Sequence, residues 1–298
     1  MSAARDAQAA RERELTESRD PFVRATVVRA QHPTSARAGD TAIVRSNGDM
    51  EGFVGGNCVE ASVREYSLRA LVTAEPLLLR VVPGEPSLVA EEGAVEVANP
   101  CLSGGAIEIF LEPEIPAPRV IVVGSTPVAQ ALATLGTALG MEMELTDGRS
   151  AAPSVSDAAL IVASHGKDEE PALEAALRAT VPYVALVASE TRGAAVVASL
   201  NVDDEQRSRI YTPAGLQLGG RTPAEIALSI LAQLIAERPA AATRPAAPAT
   251  AIDPVCGMSV AAVDASLHLD HNGLTVYFCS EGCRTAFLAD SGRYAIAS

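Results

Sequence analysis

Apolar and polar positions alternate through several short runs between Pro21 and Glu112: FVRATVVRA, TAIVRS, LLLRVV, AVEVA and AIEIFLE. A period of two marks strands with one face buried, and Asn47-Gly48 predicts a hairpin turn. One stretch changes period. Val59, Val63, Tyr66, Leu68 and Leu71 suit a helix packed on a sheet, with Asn57 predicted to cap it and Glu60 placed as in a capping box. Residues 21–116 thus read as a β-rich domain with one helix.

From Arg119 to Glu237 strands alternate with helices: VIVVG then PVAQALATLGTALG, AALIVAS then EEPALEAALRAT, YVALVAS then a short helix near Arg192 to Leu200. That alternation predicts an α/β, Rossmann-like doubly wound parallel sheet over 117–238. Its last helix has Thr222 as cap, Pro223 in the first turn and Glu225 to complete a capping box. The segment RPAAATRPAAPAT has little to bury and reads as a Pro/Ala linker over 239–251. A small α+β module follows over 252–298. Residues 1–20 form a charged tail, disordered or helical.

Composition narrows the partners. The chain has 298 residues, a formal charge of −14 and only 3% aromatic residues, which argues against nucleic acid or an anionic membrane surface. Val120 to Met141 carries no charge and is long enough to span a bilayer. Gly124, Ser125, Thr126, Pro127 and Gln130 divide it into a strand and a helix instead. The N-terminus alternates Arg with Glu and lacks an apolar run, so a cytoplasmic location is expected, with the five cysteines as reduced thiols.

Three of those cysteines, Cys256, Cys279 and Cys283, follow a C-x22-C-x3-C spacing. Asn272-Gly273 should close a hairpin that delivers Cys279. A helix from Ser280 would set Cys283 one turn on, where the helix end favours the thiolate. So small a unit gains stability from a metal. Thiolates select Cu(I) or Zn(II): three cysteines alone suit Cu(I), and recruiting His268 or His271 would make a Cys3His zinc site. Buried free cysteines are the plainer alternative. The DPVCGM opening, the YFCSEGC centre and the closing F-x-x-x-x-x-RY resemble the YHS domain, a small metal-binding module related to the TRASH type.

Cys58 follows the Gly-rich turn EGFVGGN and opens a helix, where a thiol meets the positive helix end beside room for an anionic ligand; Gly55 and Gly56 let a bulky group approach the backbone. Cys101, in NPCLSGGAIEIF, repeats the arrangement before a Gly pair. Either can equally be structural. GDMEGFVGGNCVEASV, NPCLSGGAIEIFLEP and RIYTPAGLQLGGRTPAEIALSILAQLIAERP resemble the XdhC/CoxI family of maturation factors for molybdenum hydroxylases such as xanthine dehydrogenase and carbon monoxide dehydrogenase. The resemblance implies an accessory chaperone rather than a catalyst. It would bind molybdenum cofactor (molybdopterin), protect it while its sulfido ligand is installed, and pass it to the apo-enzyme. A sulfurtransferase partner and a homodimer are within what it implies. Cys58 and Cys101 map onto the family's two cysteines, and Asn57 stands where the family usually has glycine. Since carbon monoxide dehydrogenase uses copper beside molybdenum, the tail can be read as a Cu(I) carrier for that client.

In the α/β half, VIVVGSTPVAQAL keeps Gly124 and Ala129 of G-x-G-x-x-A, but Thr126 replaces the middle glycine. Asp147 can hold a ribose hydroxyl, which would make an NAD(P)-dependent oxidoreductase. The helix N-terminus at Thr126 can instead take a pterin phosphate. His165 should lie at a strand's C-terminal edge, matching the family's strand-end histidine, and Asp168 should cap the next helix. Ser189 and Arg192 occupy what is usually a GSR-x-R loop, from which Glu190 departs. Arg221, in the loop of Gly215, Gly219 and Gly220, is a further phosphate candidate. A third reading is a metal-trafficking protein centred on the tail.

Overall fold

The computed structural model describes residues 2–86, 91–99, 105–237 and 248–294. The chain divides into two compact units, Met1–Pro116 with Arg244–Ser298, and Ala117–Thr243.

The first unit begins with α1 (Ser2–Glu17), then β1 (Phe22–Gln31), β2 (Thr41–Arg45), β3 (Met50–Gly52), α2 (Asn57–Thr73), β4 (Leu77–Pro83), β5 (Ala94–Asn99) and β6 (Ala106–Glu114). The strands form a six-stranded sheet in the order β3-β2-β1-β6-β4-β5, antiparallel except for β4 with β5. Alternation along β1 decides what each face buries. Val23, Ala25 and Val27 enter the core with Val59, Val63 and Leu71 of α2. Phe22 instead joins Ile43 and Leu15 of α1. The charged N-terminal tail is therefore a docked helix. Leu15, buried at 2% exposure, contributes about 1.5–3 kcal/mol of apolar burial. Arg24–Glu12 and Arg11–Glu51 ion pairs at 2.9 and 3.0 Å set its orientation. α2 stops where Ala74 turns left-handed and donates its N–H to the Ala70 carbonyl, one residue before the Glu75-Pro76 step that disfavours helix.

The second unit contains β7 (Arg119–Val123), α3 (Pro127–Ala138), β8 (Glu142–Thr146), β9 (Ala159–Val162), α4 (Glu169–Arg178), β10 (Tyr183–Leu186), α5 (Glu190–Ser199), α6 (Asp204–Ser208), β11 (Ile210–Tyr211) and α7 (Pro223–Glu237). Its five strands are parallel in the order β11-β10-β9-β7-β8. The central strands β7, β9 and β10 are covered on both faces, which is why they are nearly continuous apolar runs, whereas the edge strand β8 is not. Val120, Val122 and Ile161 pack under α3 and α7, while Ile121, Val123 and Leu160 pack under α4. This is the doubly wound sheet that the alternating pattern predicts. The uncharged stretch from Val120 is β7 followed by α3, and no helix among the described residues is long and apolar enough to cross a membrane. Thr222 and Glu225 form their box: the Glu225 N–H donates to the Thr222 hydroxyl at 3.3 Å, and the Glu225 carboxylate accepts the Thr222 N–H at 2.9 Å.

The tail forms β12 (Thr250–Ile252), β13 (Ser259–Ala261), β14 (His268–His271), β15 (Leu274–Tyr277) and α8 (Glu281–Ala289). Residues 239–247 of the expected linker lie outside the described residues, and its end, Thr250–Ile252, is a strand paired with β13. Asn272 and Gly273 close the second hairpin with φ of 53° and 82°, the left-handed pair that Asn-Gly favours. Val276, Phe278 and Phe287 make a small core of their own. Ala261 joins the core beneath α2, Ala61 packs with Met258 and Val260, and the Ser259 hydroxyl donates to the buried Glu65 at 3.0 Å. The tail thus shares its packing with α2.

Candidate functional site

The N-terminus of α2 opens onto a cavity of about 590 Å³, whose lining includes Pro33, Thr34, Gly56, Cys58, Gly105 and Ile107. Two glycines shape it differently. A Cβ on Gly56 would meet no atom within 4 Å, whereas one on Gly105 would lie 2.1 Å from the Pro33 carbonyl oxygen. The wall at Gly105 is backbone against backbone. Gly56 itself is the N-cap of α2, and no side chain caps the helix. The expected Asn57 cap is corrected: Asn57 is the first helical residue, because the extended backbone that a cap needs falls at Gly56, with φ −77° and ψ 174°. An N-cap without a side-chain acceptor leaves the first-turn N–H groups to a ligand. Gly55, at φ 146°, packs onto Val59. Cys101 lies outside the described residues.

On the other side of Cys58 stand the tail's thiols. Cys279 Sγ is 3.5 Å from Cys256 Sγ, 3.7 Å from Cys283 Sγ and 4.0 Å from Cys58 Sγ. Ligand atoms of Asp253, Cys256, Cys279 and Cys283 all lie within 4.8 Å of one another. Cys279 is set just beyond β15, and Ser280 caps α8 by accepting the Cys283 N–H at 3.3 Å, so the two sulfurs face one point as the spacing predicts. Asp253, fully buried, ties the site together by accepting N–H bonds from Val255 at 2.9 Å and Cys279 at 2.8 Å. Sequence reasoning passed over it, although an acid three residues before a cysteine, in D-P-V-C, was the available signal. Neither histidine joins the cluster. His268 holds the Ser266 carbonyl through Nδ1 at 2.8 Å, and His271 sets its ring edge-on to Phe287.

Titration of the thiols is uneven. Hydrogen bonding from Cys279 lowers the Cys256 pKa, the same contact with burial raises that of Cys279, and burial pushes Cys283 up to about 12. In the metal-free protein burial outweighs the hydrogen bond with Ser280 at Cys283 and favours the protonated thiol.

In the second unit, Gly124, Thr126, Asp147 and His165 line one cavity of about 720 Å³ at the C-terminal ends of β7, β8 and β9, where such sheets place ligands. Their side chains are partly committed. The Thr126 hydroxyl caps α3 and donates to the Ala163 carbonyl at 2.8 Å. Asp147 accepts the N–H groups of Ser150 at 2.7 Å and Arg149 at 3.0 Å, which hold its carboxyl below the ordinary range. Arg221 is not among the lining residues; its N–H donates to Glu225 at 2.8 Å. Asp168 makes no capping bond and instead pairs with Arg149 at 2.7 Å, so its predicted role is corrected too. Its backbone is left-handed, with φ 50°. The loop is held by a residue the sequence did not single out. Glu169, at 1% exposure, accepts from the Ser164 hydroxyl at 3.1 Å and the Gly166 N–H at 2.7 Å, and pairs with Arg192.

Comparison with known proteins adds three domain matches. Residues 15–82 match the XdhC and CoxI family, 120–234 the XdhC Rossmann domain and 251–298 the YHS domain. The Escherichia coli K12 protein YqeB, described as uncharacterized, is 27% identical over 249 residues, covering 74% of this chain. The chain spans 44% of the length of that relative. A solved structure described as a xanthine dehydrogenase from Bacillus halodurans is similar over 75% of this chain and 94% of its own, at 16% identity and a TM-score of 0.37.

Proposed function

The chain belongs to the XdhC and CoxI family and carries a YHS domain, and from that premise we propose that it is an accessory protein in the maturation of a molybdenum hydroxylase. It binds the molybdenum cofactor at the N-terminus of α2 and passes it to the apo-enzyme. The observation that carries this reading is the position of Cys58, on a helix end capped only by glycine and at the wall of a cavity of about 590 Å³.

The residues present suit such a ligand. Cavities of about 300–1,000 Å³ accept drug-sized molecules. Pro33, Val59 and Ile107 offer apolar surface to a flat ring, and Thr34 and Ser35 offer hydroxyls. Among the described residues no Lys or Arg lines the cavity, so an anionic group would be met by the first-turn N–H groups of α2 and the helix dipole. When bound, the cofactor would supply a molybdenum centre with affinity for sulfur, and among the described residues Cys58 is the cavity-lining thiol that would hold it. The dinucleotide alternative has less support, because Thr126 and Asp147 already spend their oxygens on local structure.

The test is transfer. Protein loaded anaerobically with cofactor should activate a cofactor-free molybdenum hydroxylase, and Cys58→Ala should abolish most of that activation. Equal activation by wild type and Cys58→Ala would overturn the reading.

A further inference from the structure

A metal held tetrahedrally by thiolates at about 2.3 Å sets its sulfur atoms about 3.8 Å apart, by the geometry of the tetrahedron. Around Cys279 the three separations are 3.5, 3.7 and 4.0 Å, and the third belongs to Cys58, on a different domain. Asp253 lies within reach of the three tail thiols, but each of its oxygens already accepts a backbone N–H, from Val255 and Cys279, and so holds the loop in place; His268 and His271 are not in that set. Cys58, Cys256 and Cys283 are each half-buried around the buried Cys279, in one apolar cluster with Ala61, Met258 and Val260.

We propose that Cys58 is the fourth thiolate of a zinc-type tetrahedral site completed by Cys256, Cys279 and Cys283, so that one ion fastens the tail to α2. Four sulfurs favour Zn(II) over the Cu(I) that three alone would suit. On binding, four S–H bonds break, four metal–sulfur bonds form and the four protons leave to solvent; no electron is transferred. Cys58 stands outside the set of groups mutually within 4.8 Å, so its sulfur must draw closer to the other thiols when the ion binds. The Ser259–Glu65 bond and the packing of Ala61 against Met258 hold the two surfaces in place for it. The site stands whether or not the cavity takes molybdenum cofactor. If it does, the ion and the cofactor compete for Cys58.

Zinc K-edge absorption on the full chain, stripped under reducing conditions and reloaded with Zn(II) alone, reads the ligand set directly. Wild type should show four sulfurs, and Cys58→Ser three sulfurs with one lighter ligand. Three sulfurs in wild type, or the same sulfur count in Cys58→Ser, overturns the proposal. A second measurement needs no variant: Zn(II) should protect Cys58 from iodoacetamide, mapped by peptide mass. Protection of Cys256 and Cys283 without Cys58 overturns it, as does failure of wild type to take up zinc.

Discussion

Cys58 Sγ lies 4.0 Å from Cys279 Sγ across 221 residues of chain. That contact joins the cavity at the head of α2 to the thiol cluster of the tail. The same side chain thus lines that cavity and touches the thiol cluster.

Metal uptake by the tail should depend steeply on pH. Burial pushes Cys283 up to about 12 and Cys279 is raised by its contact with Cys256, so the metal-free protein holds those protons through the neutral range and the ion must expel them. Affinity therefore rises with pH, by ~10-fold per unit for each proton displaced. Chelator competition at about pH 6 and about pH 8 checks this; an affinity flat across that range would contradict it.

The two cavity glycines should respond differently to a methyl group. In Gly105→Ala the Cβ would meet the Pro33 carbonyl at 2.1 Å, which costs about 1–3 kcal/mol and distorts the wall. Gly56→Ala meets no protein atom within 4 Å and should cost under about 1 kcal/mol as a cap change. Its methyl enters ligand space, so cofactor retention should fall while the melting temperature holds. Thermal melts paired with retained molybdenum measure both; equal stability for the two variants would refute the comparison.

Glu169→Ala should destabilise the second unit. It leaves the Ser164 hydroxyl, the Gly166 N–H and Arg192 without their shared acceptor, a loss of about 1–3 kcal/mol. Denaturant unfolding of the full chain reads it. An unchanged midpoint would mean that the carboxylate does not organise the His165 loop.

Much of this was legible in sequence where the signal is local. The two periods separate the β-rich domain from the parallel sheet, Thr222 with Glu225 fixes the start of α7, and Asn272-Gly273 with the C-x3-C step brings Cys279 to Cys283. Legibility fails where the partner is far along the chain. The Ser259–Glu65 bond spans 194 residues, and nothing in either segment announces it. Docking of α1 through Leu15 is hidden in the same way, since one apolar residue in a charged run gives no period. Glu169 reads as an ordinary acid in a first helical turn, and only its burial shows it to be a clamp. Asn57 is a fair cap by residue type, but the backbone of the Gly-rich turn places the boundary one residue earlier.

The most direct measurement is molybdenum retained per protein after anaerobic incubation with the cofactor and removal of excess, determined by elemental mass spectrometry on metal-free wild type and Cys58→Ala. The cavity at α2 predicts near-stoichiometric molybdenum on wild type and a loss of at least about tenfold in the variant, equivalent to about 1.4 kcal/mol. Equal retention by the two proteins, or none by wild type, would contradict it.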